Sequence, residues 1–282
     1  MAFQTTIEKE VSLEGIGLHT GNKSKVVFKP AAADYGIKFI RVDLPGAPVI
    51  PADYNHTATG TAVRGSVIAA GDAKVHTIEH IMASCFALGI DNLRIEINNN
   101  EPPILDGSGE EFVCALKSAG LAELTAGRKY LTITEPVVYE AGITKIAAYP
   151  SDKFEVDCSI GYDHPFLRHQ QLNFELTKEA FFNDISRART FCFDYEIEAL
   201  QAAGLAKGGS LENAIVVAAS GVHNKEQLRY SDEFVRHKIL DIIGDLYLAG
   251  RPMKVKIVAV KPGHNHNINF VKEFMKHAKL TQ

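Results

Sequence analysis

Residues 234–250 read FVRHKILDIIGDLYLAG, a largely apolar helical stretch interrupted by His237, Lys238, Asp241 and Asp245. Wound at about 100° per residue from His237, Asp241 falls at roughly 40°, Asp245 at roughly 80° and Lys238 at roughly 100°. Ile239, Ile242, Ile243, Leu246 and Tyr247 occupy the arc between roughly 140° and 280°. The four polar groups therefore share one narrow face. A single amphipathic helix ordinarily turns such a face to water, so the expectation for this stretch alone is a solvated stripe. A chemical role requires a second feature.

Composition narrows the field. With 282 residues, 46% hydrophobic and 23% charged, the chain can bury a substantial core as one large domain or two ordinary ones. A net charge of -4 offers no general attraction to nucleic acid or anionic membrane, so any phosphate must be held by local cations. Cys85, Cys114, Cys158 and Cys192 lie far apart without a C-x-x-C pair, which indicates neither a disulfide framework nor a thiolate zinc site and suits a reducing cytoplasm. No signal segment opens the sequence, and no apolar run reaches the ~20 residues that span a bilayer.

The chain repeats a plan. In the first half, strands in QTTIEKEVSLEG and KSKVVFKP lead through loops to a helix, TIEHIMASCFALG, a glycine stop at Gly89 and a strand, LRIEIN. A second helix, EEFVCALKSAGL, follows EPPILDGSG, and the polar TAGR places a boundary between residues 1–126 and 127–282. The second half offers strands KYLTIT, ITKIAAYP, FEVDCSIGY and QLNFEL, then the helix DEFVRHKILDIIGDLYLAG and the strand KVKIVAV. The predicted class is α+β: two similar layered domains with the active site in the cleft between them.

Within VHTIEHIM, His76, Glu79 and His80 spell H-x-x-E-H, the inverted zinc-protease motif. That motif needs one helix through both histidines, whereas Thr77 reads as an N-cap with Glu79 in the first turn, leaving His76 outside. A different set is more coherent. A catalytic zinc takes about three protein ligands, and His80 together with the i, i+4 pair His237 and Asp241 supplies them, with Glu79 near the water as base. A hydrolase follows; a metalloprotease and a non-catalytic binding module are the rivals. His264 and His266, in the glycine-marked loop KPGHNHN, are open as metal ligand, general acid or solvated side chains.

The motifs GIGLHTG, TIEH with GIDNLRIEIN, EPPILDGS, DHP, SRARTFCF, GLAKGGSLENAIVV, LRYSDEFVRHKILDIIGDLYLAG and GHNHN, in that order, resemble those of the zinc-dependent UDP-3-O-acyl-N-acetylglucosamine deacetylases of bacterial lipid A synthesis. The resemblance implies two βαα domains with small inserts, packed helix to helix around the site. It implies His80, His237 and Asp241 as ligands of Zn²⁺, a set that also suits Fe²⁺. It further implies Glu79 as base, His264 as acid, Thr190 as oxyanion donor, and Lys238 and Asp245 as supporting groups. The expected substrate is a UDP-linked acylated N-acetylglucosamine handled in the cytoplasm, with no nucleic acid, stable membrane insertion or obligate protein partner. Its contacts are expected at Leu18, His19, Gly209 and Ser210, with Tyr162 stacking on the base and an acyl groove along Phe191, Ile197, Ala206 and Leu211. Ala206 stands where the family often has cysteine.

Overall fold

The computed structural model describes residues 2–58 and 64–282. One five-stranded sheet runs, in spatial order, Val11–Ile16, Lys23–Pro30, Leu93–Ile97, Ile37–Arg41, Val49–Pro51. The other runs Val137–Ala141, Thr144–Pro150, Val255–Val260, Phe154–Gly161, His169–Glu175. Numbered by occurrence, both sheets have the order 1-2-5-3-4. Neighbours are antiparallel except the fifth and third strands, which are parallel. A parallel pair needs a crossover connection, and each half fills it with a helix. The strands form where alternation gives them one inward face: Ser24, Val26 and Phe28 in one sheet, Phe154, Val156, Cys158 and Ile160 in the other.

Helices α1 (Glu79–Leu88) and α2 (Glu110–Ser118) bracket the fifth strand of the first sheet. Helices α3 (Lys178–Ala180) and α4 (Ile197–Ala202) belong to an insertion that also holds the small sheet Phe191–Phe193, Ile215–Ala218, Gly221–Val222. Helices α5 (Glu233–Tyr247) and α6 (His264–Phe274) bracket the fifth strand of the second sheet. The two halves meet through α1 and α5, helix against helix. Every residue of α1 is buried, and Phe86 stacks on Tyr247 with ring centres 4.6 Å apart. No helix among the described residues is long and apolar enough to cross a membrane.

Five local expectations change. The polar face of α5 is not wet: His237, Asp241 and Asp245 are at most 2% exposed, because α1 and α6 pack over it. His264 and His266 are not in a loop, since α6 begins at His264 itself; its buried stripe of Asn267, Ile268, Phe270, Val271 and Phe274 begins at the last residue of KPGHNHN, so its apolar members all follow the polar residues that suggested a loop. Thr77 does not cap α1; Ile78 precedes the helix, and Thr77 stands at φ +53° with its hydroxyl donating to Glu101. QTTIEKEVSLEG divides into Phe3–Ile7 and Val11–Ile16, in different sheets, and Leu121–Gly127 continues as a strand through most of TAGR because it pairs back onto Phe3–Ile7.

Candidate active site

The first turn of α1 and the middle of α5 bring three donors together: the ligand atoms of His80, His237 and Asp241 lie within 4.8 Å of one another, all buried. The crossing is close because α5 carries Gly244 beneath α1; a Cβ there would come 2.1 Å from the Glu79 carbonyl oxygen. The donors suit a divalent cation. His237 Nδ1 lies 3.0 Å from the Ala188 carbonyl, to which it donates in the tautomer that leaves Nε2 free for a metal. Burial and the neighbouring His237 hold His80 neutral, its pKa lowered to about 3. Asp241 Oδ1 is buried with no hydrogen-bond partner among the described residues, a costly state that a cation would relieve. Its Oδ2 accepts from Lys238 Nζ at 2.7 Å. Burial opposes charge on Asp241, yet Lys238 and the histidines hold it well below the usual carboxylate range.

Two proton-handling groups flank these donors. Burial, reinforced by Asp245 and Asp241, pushes the Glu79 carboxyl up to about 7. Its Oε2 accepts from Ser66 N–H at 2.9 Å, which fixes the carboxylate plane. His264 Nε2 stands 3.8 Å from both Glu79 Oε1 and Asp241 Oδ2. Its Nδ1 is 2.9 Å from Asp245 Oδ2, which also accepts from Asn267 at 2.8 Å, while Ser66 Oγ donates to Asp245 Oδ1. Burial disfavours the imidazolium, but Asp245, Glu79 and Asp241 outweigh it and carry the pKa of His264 to about 10. A carboxyl with a raised pKa and an imidazole with a raised pKa thus face the same space.

That space is a cavity of about 540 Å³. Glu79, His80, Thr190, His237, Lys238, Asp241 and His264 line it, as do Leu18, His19, Phe191, Ile197, Ala206, Gly209, Ser210 and Leu211. Asp245 stands behind His264 rather than in the wall. Tyr162 does not reach the cavity; its ring packs edge-on against Phe193 and Phe191, with centres 5.0 and 6.1 Å away. His76 follows a short strand, with its N–H on Asn100, and takes no part in the cluster of donors. The sequence reading missed Arg64, Thr77, Ile104, Glu196, Leu200 and Val216, which also line the cavity, together with Ser66 and Glu101 behind the wall. Nothing periodic marks Arg64, Gly65 and Ser66, and only their return against α1 makes them neighbours of Glu79.

Sequence comparison shows the family. The pattern of the UDP-3-O-acyl N-acetylglycosamine deacetylase family matches residues 4–276. The chain belongs to that family. It is 44% identical over 272 residues to the UDP-3-O-acyl-N-acetylglucosamine deacetylase of an Anaeromyxobacter species, covering 96% of this chain and 88% of that one. Against the enzyme of the same name from Teredinibacter turnerae it is 42% identical over 278 residues, covering 98% of this chain and 91% of the relative. The segments TIEH, SRART, HKILD and GHNHN, which carried the resemblance, fall on the cavity wall or directly behind it.

Proposed function

We propose that the protein is a metal-dependent amidohydrolase that removes the N-acetyl group from UDP-3-O-(3-hydroxyacyl)-N-acetylglucosamine, releasing acetate and a free amine for lipid A synthesis in the cytoplasm. One observation carries the proposal: Glu79 and His264, in opposite working states, face a His80, His237 and Asp241 donor set at one end of a largely apolar cavity. Those three residues would hold Zn²⁺ or Fe²⁺, which when bound supplies a Lewis acid that polarises the amide carbonyl and acidifies water.

The remaining chemistry belongs to the side chains. Glu79, oriented by Ser66 N–H, takes the proton of the attacking water. Thr190, in the wall beside the donors, supplies a hydroxyl to the developing oxyanion. His264, kept charged by Asp245, protonates the departing amine. Lys238, whose pKa is raised by Asp241 against the effect of burial, stays cationic beside the acetamide end. It offers local attraction to the diphosphate despite the net charge of -4, which gives no field for nucleic acid, whereas His19, its pKa lowered by burial, meets the diphosphate as a neutral hydrogen-bond donor. Leu18, Phe191, Ile197, Ala206 and Leu211 give the acyl chain apolar surface, and Gly209 and Ser210 add main-chain and hydroxyl contacts. Tyr162 serves the nucleotide base only if its ring turns away from Phe193. The reading invokes no obligate protein partner and divides the chain at 126/127. Leu121–Gly127, which pairs with the first strand, runs one residue past that boundary, and Tyr130–Thr132 pairs with the last strand.

Acetate release from the UDP-linked acylated sugar, measured beside cleavage of a peptide library, tests the proposal. Acetate with no peptide product is expected; peptide cleavage without acetate would overturn it.

A further inference from the structure

Glu101 is 1% exposed, lies outside the proposed chemistry and has no lysine or arginine paired with it among the described residues. Every contact it makes is as an acceptor from a neutral donor. His19 N–H donates to Oε1 and Oε2 at 3.0 and 3.2 Å, Thr20 N–H and Oγ1 both reach Oε2 at 2.8 Å, and Thr77 Oγ1 reaches Oε1 at 2.9 Å. The approach is so close that a Cβ on Gly17 would stand 2.4 Å from Glu101 Oε2.

The far side of the same loop grips the other half of the molecule. Leu18 O accepts from Gly208 N–H at 3.0 Å and His19 O from Lys207 N–H at 3.2 Å. A Cβ on Gly208 would meet Gly17 O at 2.3 Å. The Gly17–Thr20 loop is thus clamped between a buried carboxylate of the first half and the Ala206–Gly209 turn of the second. Leu18 and His19 on one side, Ala206 and Gly209 on the other, form adjoining parts of the cavity wall.

We infer that Glu101 is a positioning residue for acyl-chain recognition: by fixing the Gly17–Thr20 loop it fixes the Ala206–Gly209 turn docked on it, and so sets the width of the acyl groove without touching substrate. The inference rests on the deacetylase reading above. A carboxylate suits this place because all its lone pairs accept, whereas the NH₂ of a glutamine would face N–H and O–H donors. Losing the clamp loosens apolar surface that a long chain contacts and a short one does not, while His80, His237, Asp241 and Glu79 stay held by α1 and α5.

The test uses Glu101→Gln and the milder Thr20→Val, which deletes one donor to the carboxylate. Metal-loaded enzyme is assayed with two probes, UDP-N-acetylglucosamine carrying a 3-O-(3-hydroxytetradecanoyl) chain and the same sugar carrying 3-O-butyryl. For the long chain, KM is expected to rise about tenfold in Glu101→Gln and by a smaller factor in Thr20→Val, as the loss of charge-assisted hydrogen bonds implies. The kcat for both probes and the metal content should stay at wild-type values, and the butyryl KM should rise by a clearly smaller factor than the long-chain KM, because the loop also carries His19, which faces the part of the substrate that both probes share. If KM rises equally for both probes, or if kcat and metal content fall together in Thr20→Val, Glu101 is a general structural residue and the inference is wrong. Normal wild-type turnover with an unchanged long-chain KM in both variants overturns this inference alone. A wild-type enzyme that releases acetate from neither probe overturns the deacetylase reading, and this inference with it.

Discussion

Gly244 lies so close to Glu79 that a Cβ on the glycine would stand 2.1 Å from the glutamate carbonyl oxygen, main chain against main chain. The backbone of α1 cannot yield without moving Glu79 and His80 together. Gly244→Ala should therefore both destabilise the fold, by about 1–3 kcal/mol as overpacking typically does, and separate the donors. Thermal unfolding and metal titration of the variant check this; wild-type affinity with wild-type melting would mean that the helices slide apart freely.

Asp241→Ala and His237→Ala should each abolish stoichiometric metal binding, because each removes one of three buried donors. His76→Ala should retain it. Metal analysis of the purified variants decides the matter: loss of metal in His76→Ala, with retention in His237→Ala, would restore the H-x-x-E-H reading.

The pH profile follows from the opposed working states of Glu79 and His264. Glu79, raised to about 7 chiefly by burial, is competent only when ionised; His264, held at about 10 by Asp245, Glu79 and Asp241 against burial, is competent only when charged. The value of kcat/KM should therefore rise through the first pKa and fall through the second. A bound dication favours the carboxylate and disfavours the imidazolium, so both limbs lie at or below those values. Glu79→Gln should lose activity while keeping metal. His264→Ala should slow the rate by about 10²–10⁴ and flatten the basic limb. Persistence of that limb in His264→Ala and its disappearance in His266→Ala would reassign the acid.

Asp245 Oδ2 contacts His264 Nδ1 directly and is the first of the carboxylates that raise its pKa. Asp245→Asn removes a negative charge, so the imidazolium should lose its proton at lower pH and the basic limb should move to lower pH, with metal content unchanged. The pH dependence of kcat/KM in this variant is the measurement. An unmoved limb would show that Glu79 and Asp241 suffice.

Leu211, 43% exposed at the cavity wall, is the cleaner place to narrow the groove, because Ala206 stands at φ +54° and a bulky side chain there would strain the turn as well. Leu211→Trp should raise KM for long-acyl substrates more than for short ones. Equal changes for both would mean that the residue does not meet the chain.

How far the molecule was legible varies from residue to residue. The stripe His237, Asp241, Asp245 followed from helical winding, but whether it was wet did not, because periodicity describes one helix and the cover comes from α1 and α6. His264 was visible as a candidate, whereas its place at the start of a helix was hidden: α6 draws its stability from Phe270, Val271 and Phe274, which follow the polar residues. Thr77 looked like a cap because local propensity favours it there; a carboxylate 24 positions away took its hydroxyl instead. Tyr162 was assigned by motif position, and Phe191 and Phe193 draw its ring away from the cavity.

The sequence by itself determined the class of fold, the helix, glycine stop and strand common to both halves, and the candidate donors, since these depend on periodicity, on glycine stops and on side-chain chemistry that needs no partner to be recognised; strands Ile37–Arg41 and Val49–Pro51, in a stretch that read as loops, emerged only with the sheet that pairs them. Only the tertiary structure decided which polar groups share a dry space. The pKa of Glu79 and His264, the free lone pair of Asp241 and the clamp at Glu101 are products of burial and of neighbours remote in the chain. Desolvation and electrostatics at a few ångströms act through space, and sequence order carries no measure of that distance.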